Sequence, residues 1–190
     1  MSVRNLYDGP IFRLIQKDMM INGVMTDRDI LIHTGGVAVL CYEEGKILLV
    51  RQTRAAAQTK TLEIPAGMVE PNENPADTGR RELNEETGMT CSDMKLITAF
   101  WPTPGYDTEV IWIYRCLDVK KAEHHLAMDA DEDTVSLWMD LDDAFQKVCT
   151  GEIRDGKTII AIQHLLLERA GLLKDVPDFD ESLVDRNLQF

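Results

Sequence analysis

A chain of 190 residues, 44% of them hydrophobic, is long enough to bury one proper core, and a single main domain is expected. Its 33 acidic residues against 20 basic ones give a formal charge of −13, which argues against nucleic acid or anionic membrane as the main partner, since both reward Lys and Arg clusters. No apolar run approaches the ~18 residues of a spanning helix and the opening "MSVRNLYDGP" has no apolar signal core, so a cytoplasmic protein is expected.

The first third reads as strands. "IFRLIQKDMMI" and "VMTDRDILI" flank Asn22-Gly23, a dipeptide that favours the positive φ angles of a tight hairpin, and residues 1–33 form a hairpin segment ahead of the main body. "GGVAVLCY" and "KILLVRQT" are apolar, β-branched runs separated by "EEG", a second hairpin feeding a buried sheet. A short strand at "TLEIP" gives way to a turn-rich loop and a charged helix. "MKLITAF", "TEVIWIYRCL" and "TVSLWMDL" then read as strands, and two helices close the main body, residues 34–172. Strands with few interspersed helices predict an α/β sheet sandwiched by helices. The acidic, weakly periodic stretch 173–190 is expected to be an extended or mobile tail.

Two patterns carry no chemistry at this level. Cys41, Cys91, Cys116 and Cys149 lie far apart without a Cys-x-x-Cys pair, and His33, His124, His125 and His164 sit beside no nucleophile signature, so neither zinc nor covalent chemistry is expected. "GEIRDGKT", Gly151 to Thr158, has the spacing of a phosphate-binding P-loop, but no buried strand precedes it and Glu152 and Asp155 would repel phosphate. Upstream, Leu141, Ala144, Phe145 and Val148 recur at helical spacing. The stretch therefore reads as helix, turn, helix, with Asp155 as the cap of the second helix.

The chemistry lies in "GMVEPNENPADTGRRELNEETGM". Asn74 can cap a helix, Pro75 suits its first turn and Gly88 stops it, so the helix spans about Pro75 to Thr87. Three- and four-residue steps place Glu82, Glu85 and Glu86 on one face, and Gly79 on that face leaves room for an approaching group. Three adjacent carboxylates repel one another unless a cation neutralises them or water solvates the face, with Arg80 and Arg81 as partners. Glu73 and the backbone carbonyl around Ala66 can converge on the same place, and such hard oxygen donors select Mg²⁺ or Mn²⁺ with positions open for water and phosphate.

Gly67, five residues, Glu73, seven residues, Arg81-Glu82-Leu83, one residue, Glu85-Glu86, one residue, then Gly88 and Met89 resembles the Nudix box at every specified position. The resemblance implies an α/β/α sandwich with a mixed sheet and hydrolysis of a nucleoside diphosphate linked to another group. It implies Glu82 and Glu86 as principal metal ligands, Glu85 as a further ligand or proton acceptor, the Ala66 carbonyl as another ligand, and Arg81 as the group orienting the carboxylates. Because an acidic protein repels pyrophosphate, the metal must bridge the two.

Outside the box, "WPTPGYDTE" with Pro104 sixteen residues after Gly88, and "LLVRQTRAA" upstream, resemble the ADP-ribose pyrophosphatase group. That resemblance implies Mg²⁺-dependent cleavage of ADP-ribose to AMP and ribose 5-phosphate, with GDP-mannose or another nucleoside diphosphate sugar, or nucleotide sensing without turnover, as alternatives. It implies phosphate contact from Arg54, a substrate contact from Glu109 and a homodimer paired through the N-terminal strands. Apart from the resemblance, Tyr106 or Trp101 beside the turn could stack on a base, and Arg28, on the second strand of the hairpin, could reach across to the partner subunit. A general base is implied on "AMDADEDTVSL": Glu132, with Asp131 and Asp129 as fallbacks. "GEIRDGKT" itself resembles the turn between the last two helices of nucleotide-sugar members, including those acting on GDP-mannose.

Overall fold

The computed structural model describes residues 2–127 and 133–184. At the N-terminus, β1 (Val3–Asp8), β2 (Phe12–Ile21) and β3 (Val24–His33) form an antiparallel sheet in that order. Asn22 at φ 50° and Gly23 at φ 78° close the expected hairpin, paired from Ile21↔Val24 to Phe12↔His33. The strand β1 was not expected. All its residues are exposed, so no burial pattern marks it, and it is held by backbone pairing to β2.

The main sheet begins with β4 (Gly36–Glu43) and β5 (Lys46–Arg54), joined by a turn with Glu44 at φ 49° and Gly45 at φ 83°. Next come β6 (Thr59–Glu63), β7 (Ala66–Met68) and helix α1 (Pro75–Thr87), then β8 (Met89–Thr90), β9 (Met94–Phe100), β10 (Ile111–Cys116), β11 (Lys120–Lys121) and β12 (Val135–Asp140). Helices α2 (Leu141–Thr150) and α3 (Gly156–Arg169) follow. Strand order is β12-β5-β4-β10-β9, with β6 on β5 and β7 on β4; β10 runs parallel to β4 and the other pairs are antiparallel.

Period-two alternation along β4 explains the sandwich. Ala38 and Leu40 join Ile47, Leu49 and Ile113 beneath Ala161, Ile162 and Leu165 of α3, while Val39 and Cys41 join Leu83 of α1 on the other face. A strand covered on both faces reads as the continuous apolar run "GVAVLCY". Among the described residues no helix is long and apolar enough to cross a membrane.

Helix α1 has the expected limits. The Asn74 side chain accepts from the Ala76 N–H at 2.9 Å, Pro75 opens the helix and Gly88 takes the left-handed conformation at φ 67°. Gly79 admits the sheet, not a ligand. A Cβ there would lie 3.1 Å from Val37 Cγ1 and 3.2 Å from Val39 Cγ2, because this side of α1 packs on β4. In "GEIRDGKT", Asp155 caps α3 by accepting from the Thr158 N–H at 3.0 Å, so the helix-turn-helix reading holds. The tail is anchored as far as it is described: Phe179 and Val184 pack against the cluster of Val37, Val69, Leu96, Val110, Trp112 and Tyr114, and Lys95 pairs with Asp178. Phe179 and Val184 stand in an acidic run with no periodicity, yet both pack on this cluster, whereas Val176 and Leu183 stay exposed.

Candidate active site

The start of β4, the end of β5, the β6–β7 segment and one wall of α1 enclose a cavity of about 590 Å³. Arg81 organises the α1 wall. Its Nε and Nη2 donate to Glu73 at 3.2 and 3.1 Å, its Nη1 to Glu82 at 2.7 Å and Glu85 at 3.0 Å, and its Nη2 also to the Met68 carbonyl at 3.3 Å. These bonds hold the Glu73 carboxyl below the usual carboxylate range. Arg81 thus ties Glu73 on the loop to Glu82 and Glu85 on the helix.

Glu86 is only 4% exposed. Its Oε2 accepts from the Ala66 N–H at 2.9 Å and its Oε1 from Gln52 Nε2 at 3.4 Å. Flanking β7, the Pro65 carbonyl accepts from the Val39 N–H and the Val69 N–H donates to the Gly35 carbonyl, a register that leaves the Ala66 N–H turned away from β4 and onto Glu86 of α1. Gly67 makes this approach sterically feasible. A Cβ at this position would fall 2.0 Å from Glu82 Cδ. Glu82, Glu85, Glu86 and the Ala66 carbonyl are all oxygen donors, with no sulfur or imidazole among them. That donor set fits a hard divalent cation.

Arg54 and Lys157 also line the cavity, each paired with carboxylates. Arg54 Nε and Nη2 donate to the two Glu63 oxygens at 2.9 and 2.8 Å, Thr61 Oγ1 donates to Glu63 at 2.6 Å, and Lys157 Nζ joins Arg54 on Glu63 Oε2. Lys157 also donates to Asp155 at 2.8 Å. Arg54 therefore lines the cavity as expected, but half of its guanidinium is engaged with Glu63. Burial would push the Glu63 carboxyl up; the hydrogen bonds and charges of Arg54 and Lys157 outweigh it and hold the group at about 2.

A depressed carboxyl contributes stability that is present above its unfolded value and lost as pH falls through the folded one. Glu63 should therefore contribute on the order of 3 kcal/mol that disappears between about pH 4.5 and pH 2. Urea unfolding of the wild type and Glu63→Gln across that window checks this: the two stability curves should converge at the acid end. Parallel curves would refute it.

Glu109 also lines the cavity. Burial pushes its carboxyl up, against the opposing pull of His33, whose Nδ1 lies 3.8 Å away. His33 was assigned no chemistry, yet it borders the same space, and the Gly35 N–H donates to its Nδ1 at 2.9 Å. Tyr106 and Arg28 lie outside the cavity lining in the single chain. The Tyr106 ring is exposed, and its carbonyl accepts from the Leu31 N–H at 2.7 Å, so its backbone ties the 101–110 loop to β3. Arg28 Nη1 donates to the Asp27 carbonyl on the exposed N-terminal sheet. Glu132, Asp131 and Asp129 fall outside the described residues. Their neighbour Asp133 is pinned by the Thr53 N–H and Oγ1, each at 2.8 Å, and by Lys60 at 2.8 Å, which brings that end of the loop beside Gln52 and Arg54.

Sequence reasoning missed Gln52, Glu63 and Lys157. Glu63 could have been found as a charge inside the apolar run "LEIP", which must have a partner if the run is buried. The three cysteines Cys41, Cys91 and Cys116 meet in one buried patch, and Cys91, Cys116 and Asp118 lie close enough to share an ion. The Asp118 carboxylate, however, is taken by the N–H groups of Ser92 and Asp93, and the hydrogen bond to Cys41 followed by burial pushes the Cys116 thiol up to about 12. Cys91, pushed up likewise, and Cys116 are therefore protonated thiols at neutral pH.

A family model described as NUDIX domain matches residues 32–174. The ADP-ribose pyrophosphatase of Bacillus subtilis (strain 168) is 37% identical over 87% of this chain and 90% of its own length. The methanol dehydrogenase activator of Bacillus methanolicus is 36% identical over 89% and 92%. The GDP-mannose pyrophosphatase of Cronobacter sakazakii (strain ATCC BAA-894) is 31% identical over 82% and 85%. A crystal structure of an ADP compounds hydrolase superposes with a TM-score of 0.76 over 90% of this chain and 94% of that one; at 17% identity it speaks for the fold alone.

Proposed function

The chain belongs to the NUDIX domain family, and from that membership we propose that it hydrolyses the pyrophosphate bond of ADP-ribose, consuming one water and releasing AMP and ribose 5-phosphate, with Mg²⁺ as its metal. The observation that carries this reading is that Arg81 bonds Glu82 and Glu85 of α1 while Glu86 accepts from the Ala66 N–H, with Glu82, Ala66 and Arg54 all lining one cavity. Glu82, Glu86, Glu85 and the Ala66 carbonyl hold the cation. Bound there, Mg²⁺ supplies the positive charge that an acidic chain needs to accept pyrophosphate, and it polarises water for attack on phosphorus.

The remaining work falls to the chain itself. Arg81 holds Glu82, which lines the cavity, and Glu85 one turn along α1, and the Ala66 N–H with Gln52 fixes Glu86. Arg54 meets a substrate phosphate with the edge it does not give to Glu63, its side chain being 42% exposed. Glu132 or Glu85 takes the proton of the attacking water. Glu109 borders the pocket for the remainder of the substrate.

The exposed Val3, Leu6, Tyr7, Met20, Val24 and Met25 of the N-terminal sheet support a homodimer paired through that sheet. A cytoplasmic location fits Cys41 and Cys116, which face each other as free thiols. GDP-mannose is the second reading, favoured by relatives bearing that activity in their names.

Incubation with ADP-ribose and with GDP-mannose, followed by chromatography of the products, tests both. AMP from ADP-ribose is expected with Mg²⁺ and should disappear on chelation. GMP release alone would move the assignment to the second reading, and silence on both substrates with Mg²⁺ and Mn²⁺ would remove the enzymatic one.

A further inference from the structure

Glu85 and Glu86 stand in the last turn of α1, the part of a helix with the least support of its own. A helix leaves its last four carbonyls without internal partners, and its end opens unless donors from elsewhere reach them. Gly88 supplies one such bond, donating its N–H to the Asn84 carbonyl at 2.8 Å. Further bonds come from chain 40 residues away. There β11 pairs with β8, Lys120 opposite Thr90 and Lys121 opposite Met89, and the bonding continues past the strand ends along the helix. The Ala122 N–H donates to the Gly88 carbonyl at 2.9 Å. His125 Nε2 stands 3.1 Å from the Glu85 carbonyl, which can only accept, so Nε2 donates. Asn84 uses both ends of its amide: Nδ2 donates to the His124 carbonyl at 3.0 Å, and Oδ1 accepts from the Leu126 N–H at 2.8 Å. The His125 ring rests beside Gly88, where an added Cβ would lie 3.4 Å from its Nδ1.

We infer that Asn84 and His125 are positioning residues of the metal site, a clasp that fixes the last turn of α1 so that Glu85 and Glu86 are in place before the cation arrives. The inference rests on the proposed pyrophosphatase reading and adds to it two residues that act through others. Residues 123–126 are exposed, so burial does not hold this segment on the helix end; its hydrogen bonds do. Asn84 occupies the position between Leu83 and Glu85 that the Nudix box leaves unspecified, so its two-pronged grip is a feature of this chain. Glu85 is thereby held twice. Arg81 Nη1 bonds its carboxylate at 3.0 Å, and His125 bonds its backbone. Glu86 follows in the same turn, and its bond to the Ala66 N–H at 2.9 Å keeps its geometry only while the helix backbone behind it stays wound. Exposed hydrogen bonds add little to the stability of the whole fold. Their loss therefore falls on the order of this one turn, and so on the placing of the oxygen donors it carries.

The test is Mn²⁺ binding to the protein without substrate, read from the electron paramagnetic resonance of the free ion, for the wild type, Asn84→Ala, His125→Ala and His125→Gln, with thermal unfolding of each. A glutamine amide reaches about as far as the imidazole Nε2 and offers the same carbonyl an N–H. We expect both alanine variants to bind Mn²⁺ about tenfold more weakly, His125→Gln to return to within about threefold of the wild type, and melting to fall by no more than about 4 °C in any of them. Mn²⁺ affinity within about threefold of the wild type in the alanine variants overturns the clasp, as does a glutamine variant no better than the alanine one. A larger fall in melting marks a strut of the whole fold and overturns it too. Should the alanine variants not fold, hydrogen exchange of the wild type decides. The Leu126 N–H has Asn84 Oδ1 as its acceptor, so slow exchange there supports the clasp and exchange at the rate of an open chain refutes it. A wild type that binds no Mn²⁺ defeats the metal site and the clasp together, a result distinct from a wild type that binds the ion while its variants bind it equally well.

Discussion

Glu86→Gln is expected to reduce turnover by about 10³-fold or more at saturating Mg²⁺ while the protein stays folded. The substitution keeps the shape of the side chain but removes the charge from the most buried of the three glutamates on α1. It also disturbs the hydrogen bonding, because both oxygens of Glu86 accept: one from the Ala66 N–H, the other from the Gln52 amide. An amide can keep its oxygen on Ala66 only by turning its NH₂ towards the Gln52 donor. That mismatch costs about 1–3 kcal/mol, a loss of stability that thermal unfolding will register without loss of the fold. Activity assayed across a Mg²⁺ titration gives the answer. If more than about a tenth of wild-type turnover survives, Glu86 is not a principal ligand and the assignment of the α1 wall is wrong.

Gly67→Ala is expected to separate activity from stability. An added Cβ would sit 2.0 Å from both Cδ and Oε1 of Glu82, a clash that the Glu82 side chain can relieve by swinging away, since its far end is flexible. The fold therefore loses little, within about 1 kcal/mol. The carboxylate that swings leaves Arg81 Nη1, now 2.7 Å away, and leaves the oxygen cluster facing Ala66. A loss of about 10²-fold in kcat/KM should follow, because a displacement of about 1 Å at a catalytic group has effects of that size. The backbone conformation is not the reason, since Gly67 is not among the residues with positive φ. Kinetics and melting of the variant decide: wild-type kcat/KM would mean that Glu82 tolerates displacement and has no ligand role, whereas a collapse in stability would mean that the β7 strand, not the side chain, had yielded.

Much of this molecule is readable locally. The limits of α1 follow from Asn74, Pro75 and Gly88, residues whose preferences act within one turn of the chain, and the two hairpins follow from Asn22-Gly23 and Glu44-Gly45. The shared face of Glu82, Glu85 and Glu86 follows from the helical repeat alone. Strand β1 was hidden because it is exposed throughout, and the socket for Phe179 was hidden because a lone aromatic in an acidic run has no period. Gly79 was misjudged for a related reason: the helical repeat places it on a face but does not say what that face meets, which turned out to be Val37 and Val39.

The carboxylate wall is written locally, because Glu82, Glu85 and Glu86 are neighbours along one helix and short-range geometry places them together. The Arg54 wall exists only once the whole chain has packed. Glu63 meets Arg54 across the β5–β6 hairpin, and it meets Lys157 across 94 residues of chain because α3 packs against the sheet and its first turn lands on the end of β6. Nothing local in "GEIRDGKT" encodes that contact. A charge with no partner in its own segment must find one through the packing of the whole core, and burial makes the pairing obligatory once the core has formed.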